Sequence, residues 1–494
     1  YLALAHAIHV WRYAGPGDDV LYLLQSRLLG EPGFVRRLDP ALARFFAVRQ
    51  TAVVDGRLFT QYPPGWPAAL ALLHALGAGW WSGVLLGAIA IWLTYALGVR
   101  LRSPFAGSVA AALLAASFWL VQASAMYGAH PLATVFVVAA ALLLLRGETA
   151  RGAARAAAWA GAGFLLGGAI ATRPLTGASV GLSLVAWVAL RRTLHRGELL
   201  RMVAALAAGA VGPVLGLLAY DAIVYGSPWT VGYHAVNGSL HDLGFGLRGY
   251  VSYDSRGCPV IAASPFTLGS ATAHLAARAW DVAALALPAF LLAPLSLLAA
   301  TPGTRRRWVV VVAPFLVLPV AHFFYFFSET RFYTELLPFL FVGVAVLLEE
   351  LWRRDASAGR AMLTLGLTGT VAYSALWLAV GVLTFRGRMA AFEAVERARR
   401  EHGRVALFVA DTSTATRGAF YALYVLNVDR FPGDVVVARD LGPANRMLTR
   451  TLPGHTPLRL VRDSSGAPSV VPLDRGVPDA APLPTCGTPV QPAH

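Results

Sequence analysis

The sequence predicts an all-α polytopic membrane protein with a small C-terminal α/β unit. Three observations carry this expectation. Hydrophobic residues make up 57% of the chain and charged residues only 14%, where a soluble chain would carry roughly a quarter charged. Apolar runs of about 18 residues or more recur, the length needed to cross about 30 Å of hydrocarbon. Arginines gather at every second end of these runs: Arg100 and Arg102; Arg146, Arg151 and Arg155; Arg191, Arg192 and Arg196; Arg305, Arg306 and Arg307; Arg353, Arg354 and Arg360. Short arginine-rich loops stay cytoplasmic. The intervening ends carry Asp18 and Asp19, His130, Arg173, a polar stretch from Gly226, and Glu329 with Arg331. These are expected to share the outer face of a plasma (inner) membrane.

The pattern gives about eleven spans. The first, 1–12, starts inside an apolar run and reads as truncated; no cleavable signal peptide is expected before it. A first outer loop, 13–79, follows. Further spans are expected near 80–101, 104–126, 130–146, 157–172, 175–190, 202–225, 279–300, 307–327, 332–350 and 361–385. Arg173-Pro174 separates 157–172 from 175–190. They are read as two spans, because one kinked span would put every later arginine loop on the wrong side.

The first loop is too apolar to be free. Val20, Leu21, Leu24 and Leu28 recur at helical spacing, and 41–48 repeats the pattern, so both read as interfacial amphipathic helices. The stretch opened by Tyr62-Pro63-Pro64-Gly65-Trp66 runs to about Leu76. It is too short to span and reads as a re-entrant or juxtamembrane helix with proline in its first turn. The second outer loop, 226–278, has no sustained period and is expected to be mobile. Segments 405–411, 434–438 and 457–462 are short β-like runs between turn signals. The expected organisation is thus a membrane domain over 1–390, an extracytoplasmic α/β domain over 391–465, and a disordered proline-rich tail over 466–494. Cys258 and Cys486 both fall outside, where a disulfide is permitted; nothing in the sequence brings them together, so unpaired thiols are expected.

The net charge of +15 suits arginine loops on anionic lipid. Nucleic acid is not expected as a partner, because the basic residues are dispersed among spans without an aromatic-interleaved stripe. Asp18 and Asp19 open an interfacial helix. One reading is a helix cap; the other makes one carboxylate a general base or a metal ligand. Adjacent helical residues point about 100° apart, so the two need not share a role. Arg331 sits between aromatic-rich spans, where its fork suits a lipid phosphate; the alternative is a snorkelling side chain paired with Glu329. Arg173 invites the same two readings. His130, at a span's outer end, would bind sugar or acceptor or assist proton transfer, or have no role. His322 lies within a span, where ionisable groups tend to face an interior cavity. The spacing of His234, His241 and Asp242 matches no metal motif.

The order of these signals resembles the GT-C integral-membrane glycosyltransferases, in particular the polyprenyl- or dolichyl-phosphate-mannose protein mannosyltransferases and related bacterial transferases. The matching residues are Gly17-Asp18-Asp19 leading into Tyr22-Leu23-Leu24, Tyr62-Pro63-Pro64-Gly65, His130-Pro131-Leu132, Tyr225-Gly226-Ser227-Pro228-Trp229, and Thr330-Arg331-Phe332-Tyr333 running to Leu336-Leu337-Pro338. The likeness covers about residues 1–350. Two departures stand out: Asp-Asp where the family commonly has Asp-Glu, and His130 where it often has an acid. The resemblance implies sugar transfer from a polyprenyl phosphate to a hydroxyl of a glycan, lipid or protein acceptor. It implies Asp18 and Asp19 as catalytic candidates, and Arg331, Arg173, His130, Tyr62, Glu329, His322 and Tyr333 as substrate-binding candidates. No cofactor is expected, a divalent metal at Asp18 and Asp19 being the alternative. A transporter or flippase would show repeated halves and charges near the midplane, and neither pattern is present; a non-catalytic member of the fold is the third reading.

Overall fold

The computed structural model describes residues 17–189, 196–285, 317–410, 414–428, 431–462 and 466–473, together with residues 312, 314, 464, 483 and 486. The expected first span, Arg191 and Arg192, Arg305 to Arg307, most of the span at 279–300 and the first part of the span at 307–327 lie outside these residues.

The remaining helices of the N-terminal part and the long helices after it are α4 (Ser82–Leu101), α5 (Pro104–Ala116), α6 (Phe118–Ala125), α7 (His130–Thr149), α8 (Gly152–Thr172), α9 (Pro174–Ala189), α10 (Arg196–Tyr225), α12 (Leu268–Leu285), α13 (Leu337–Arg354) and α14 (Ala356–His402). Among the described residues, six helical segments are long and apolar enough to span, or seven if a bent pair is one span. That pair is α5 and α6, which meet at 58°. Ser117 takes an extended conformation at the break, and Ser374 donates to the freed Ala116 carbonyl at 2.6 Å. Bulky apolar side chains such as Trp92, Leu182, Leu200, Leu215, Leu365 and Leu376 face outward, as lipid-facing positions do.

Helices α8 and α9 are separate, as the arginine pattern required. Arg173 ends α8, and Gly177 of α9 lies against the backbone of Ala169 and Ile170 with no room for a Cβ. Among the described residues, several arginine-rich ends lie against one another. Arg100 donates to the Leu145 carbonyl and Thr149, Arg102 pairs with Glu349 and Glu350, and Arg155 pairs with Glu198.

The first loop holds α1 (Asp18–Leu28), a single helical turn α2 (Ala43–Phe46) and α3 (Gly65–Ala75). The helix expected over 41–48 is shorter because Ala47 leaves helical geometry. A three-stranded antiparallel sheet was not expected: β1 (Arg36–Arg37), β2 (Thr51–Val54) and β3 (Arg57–Thr60), in the order β1-β3-β2. Its hairpin turns at Asp55-Gly56, both at positive φ. Asp-Gly is the strongest short-range hairpin signal, and it was present in the sequence.

The second loop is likewise built rather than shapeless. It contains α11 (Gly232–Asn237) and a paired hairpin, β4 (Gly246–Tyr253) with β5 (Pro259–Phe266). Eight residue pairs in register satisfy its backbone, which composition alone did not reveal.

The C-terminal unit is a four-stranded sheet in the order β7-β6-β8-β9: β6 (Val405–Val409), β7 (Val435–Arg439), β8 (Thr456–Arg462) and β9 (Pro468–Pro472). It carries helices α15 (Thr414–Leu423) and α16 (Asn445–Thr451). Strand β6 is parallel to β7 and β8, and β9 is antiparallel to β8. Strand β9 falls in the stretch expected to be disordered. Helix α14 runs unbroken through position 390, where a domain boundary was expected; its length of about 70 Å exceeds a bilayer core. Its final turns bury Phe392, Val395 and Ala398 in one apolar core with α1, α2 and the sheet. The unit is therefore fused to the first loop: Phe45 packs on Phe408, Tyr424 donates to the Phe46 carbonyl, and buried Arg439 donates to the Ala47 and Asp254 carbonyls. Cys258 and Cys486 form a disulfide, against the expectation of free thiols. Tertiary folding, invisible to spacing, brings the two segments together.

Candidate active site

Asp18 and Asp19 stand in the first turn of α1, and the cap is Gly17 at φ +84°. The capping reading of the two acids is therefore replaced. Asp18 Oδ1 accepts from Tyr62 Oη at 2.7 Å and from Gln50 Nε2 at 3.1 Å, while Oδ2 meets Arg331 Nη2 at 2.9 Å. Burial alone would raise this carboxyl. The Arg331 guanidinium, the two hydrogen bonds and the charge of Arg49 outweigh it and hold Asp18 below its ordinary value. Asp19 turns the other way and is buried near Gly128. The two carboxylates do not converge, and among the described residues no cluster of three His, Cys, Asp or Glu side chains could hold a metal.

The local structure explains Tyr62. The connection from β3 into α3 is pressed against the C-terminal end of α8, where a Cβ at Gly65 would strike Ala171 and Thr172. Buried Gln25 of α1 ties it down by donating to the Tyr62 carbonyl at 2.6 Å and to Tyr220 Oη at 2.9 Å. Gln50 sits at positive φ (+69°), an uncommon conformation for a residue with a Cβ. Its side chain bridges Asp18 and Tyr421 Oη, which is 2.9 Å from Gln50 Oε1, so the C-terminal unit reaches the site.

A second cluster adjoins the first. Glu335 Oε1 forms an ion pair with Arg173 Nε at 2.9 Å and accepts a hydrogen bond from His130 Nδ1 at 3.1 Å. Arg173 and Arg331 both approach the ring of Phe332, at 5.2 and 5.7 Å, joining the clusters through one aromatic face. Arg331 Nε also meets Glu329 at 2.5 Å. His322 packs on Phe332 and Tyr333 and bonds the Leu318 carbonyl. Thus Asp18, Tyr62, His130, Arg173, His322, Glu329, Arg331 and Tyr333 all gather in one region.

Sequence reading missed Glu335, Gln50, Arg49, Tyr233 and His241. Glu335 carried a usable signal, an acid inside an otherwise apolar span; it supplies the carboxylate that the sequence appeared to lack beside His130. Arg49 lies 4.3 Å over the ring of Tyr250 on the hairpin. His241 stacks on Tyr233 and bonds Tyr325 Oη at 2.8 Å. Burial lowers His241 to about 4, against the Gly249 carbonyl that favours its charged form.

Of these groups, Asp18, Arg49, Gln50, Tyr62, Arg173, Tyr233, His241 and His322 line a cavity of about 600 Å³. Its lining includes polar side chains, among them Asp18, Arg49, Tyr62, Arg173 and His241, and apolar ones, among them Leu175, Ala178 and Leu217. An anion with an apolar tail would find partners for both of its parts there.

No protein-family model matches the sequence, and no curated protein matches it. Solved structures do. ArnT from Cupriavidus metallidurans, in the apo state, aligns with 14% identity and a TM-score of 0.56 over 94% of this chain and 92% of its own. The same protein bound to undecaprenyl phosphate gives the same values. The Archaeoglobus fulgidus oligosaccharyltransferase tethered to an acceptor peptide aligns with 12% identity and a TM-score of 0.42 over 97% and 74%. The likeness to ArnT runs through nearly the whole of both chains: this multi-pass membrane protein has the GT-C fold of integral-membrane glycosyltransferases.

Proposed function

We propose that the protein moves a hexosyl or pentosyl unit from a polyprenyl phosphate to an acceptor hydroxyl at the outer face of the plasma membrane, with about eleven spans around the site. One observation carries the reading. Asp18 and Arg331, far apart in sequence, meet at 2.9 Å beside a cavity lined by both charged and apolar side chains. The bound undecaprenyl phosphate of the ArnT relative supports a lipid phosphate as ligand.

The acceptor oxygen attacks the anomeric carbon and its proton passes to the Asp18 carboxylate. The bond from that carbon to the phosphate oxygen breaks, with inversion, and its electron pair leaves on the lipid phosphate. Arg331, Arg173 and Arg49 offset the phosphate charge as it develops. A guanidinium has five N–H donors, so Arg331 can hold Asp18 and Glu329 and still present a donor to the ligand. Asp18 is a weak base because its pKa is depressed, and the transfer tolerates this because phosphate leaves without protonation. A glycosidase, expelling an alcohol, needs a second carboxylic acid. Tyr62 and Gln50 fix the Asp18 oxygens, and the Glu335 cluster fixes Arg173. Tyr250 of the β4–β5 hairpin lines the cavity.

The test is sugar transfer by purified chain from radiolabelled polyprenyl-phosphate sugars, wild type against Asp18→Asn. Transfer lost with undecaprenyl phosphate binding kept supports the reading. Unchanged transfer in the variant refutes Asp18 as base. Lipid translocation without bond cleavage identifies a transporter instead.

A further inference from the structure

One buried acid of the cavity has no place in the mechanism above. Asp221 lies on α10, one turn beyond Leu217, and both line the cavity wall. Asp221 is 3% exposed. Among the described residues, its carboxyl meets no hydrogen-bond donor and no cation. The neighbouring carboxylates each meet a cation: Asp18 meets Arg331 besides Tyr62 and Gln50, and Glu335 meets Arg173 besides His130. A buried carboxyl without a partner is costly, and an apolar side chain would serve α10 at this position, as Leu217 does one turn away.

A ligand would supply the missing donor, and its chemistry is constrained. A phosphate is repelled by a carboxylate and has Arg49, Arg173 and Arg331 available. A prenyl chain has no donor. The donor-rich neutral part of a glycosyl lipid is its sugar. We propose that Asp221 is a sugar-binding residue, its carboxyl accepting a hydrogen bond from a hydroxyl of a glycosyl unit in the cavity. That unit is either the transferred sugar or a sugar of the acceptor. The inference rests on the transferase reading.

The experiment compares full-length wild type with Asp221→Leu and Asp221→Asn. It measures KM for lipid donor and for acceptor, kcat, Tm, and binding of undecaprenyl phosphate, which carries no sugar. Asp221→Leu is expected to raise one KM roughly 10- to 100-fold, the size of a lost hydrogen bond to a charged group. Asp221→Asn, which keeps an acceptor oxygen, raises it less. Tm stays level or rises, and undecaprenyl phosphate binds as in wild type. A raised donor KM assigns the transferred sugar, and a raised acceptor KM assigns the acceptor. If Asp221→Leu does not fold, Asp221→Asn carries the same readouts. Unchanged values of both KMs in an active chain overturn this inference alone, as does an equal weakening of undecaprenyl phosphate binding. A wild-type chain that transfers no sugar from any polyprenyl phosphate overturns the transferase reading and this inference with it.

Discussion

Arg331 Nη2 stands 2.9 Å from Asp18 Oδ2, although one residue opens a late membrane helix and the other the first helix of the outer loop. The pair offsets the charge of both groups. It also sets side by side the base and the anion-holding cation of the proposed transfer from a lipid phosphate.

The two adjacent acids are expected to behave differently. Asp18→Asn keeps the shape of the carboxyl and one acceptor oxygen while removing the base and the ion pair with Arg331. Sugar transfer is expected to fall about 100- to 10,000-fold, with Tm and undecaprenyl phosphate binding kept. Asp19→Asn, whose side chain lies towards Gly128, is expected to cost far less. Equal losses in the two variants, measured side by side, would remove Asp18 from its special role.

The acid limb of kcat/KM offers a second check. Asp18 is held below its ordinary value, so its carboxylate persists above that value and is lost only as pH falls through the lowered one. The same sign applies to stability: whatever ionised Asp18 contributes is fully present above the unfolded value and disappears on acidification through the folded one. Gln50→Leu removes a donor to this carboxylate and is expected to move the acid limb upward. A limb that stays put or moves downward contradicts the hydrogen bond.

Glu335 binds Arg173 and His130 from a buried position. Glu335→Gln leaves the Arg173 charge without its counterion. Removing one partner of a buried pair costs about 3–5 kcal/mol, read as a loss of thermal stability in detergent. A variant as stable as wild type would show that Arg173 finds water or another acid.

Cys258 and Cys486 tie the turn of the β4–β5 hairpin to the C-terminal tail. Non-reducing mass spectrometry after alkylation of the denatured chain is expected to find no free thiol. The double Cys→Ser variant is expected to lose about 2–4 kcal/mol of stability. Two alkylated cysteines in protein isolated without reductant would overturn the pairing.

Much of this molecule is legible from its residues alone. Apolar runs and the arginine pattern give the spans around Arg173-Pro174 and the face that collects Asp18, His130 and Arg331, because crossing hydrocarbon imposes length and sidedness locally. The short strands at 405–411, 434–438 and 457–462 are legible for the same reason, since alternation and turns are local signals. The Asp55-Gly56 hairpin and the acid Glu335 were written in the sequence and needed only the right weight. Gln50, Arg49 and His241 were not legible, because a polar residue in a loop looks the same whether it meets solvent or Asp18. Only the tertiary structure could join Gln50 to Tyr421, Cys258 to Cys486, and the C-terminal sheet to the first loop in one core. Partners far apart along the chain are selected by packing, and packing has no period to read.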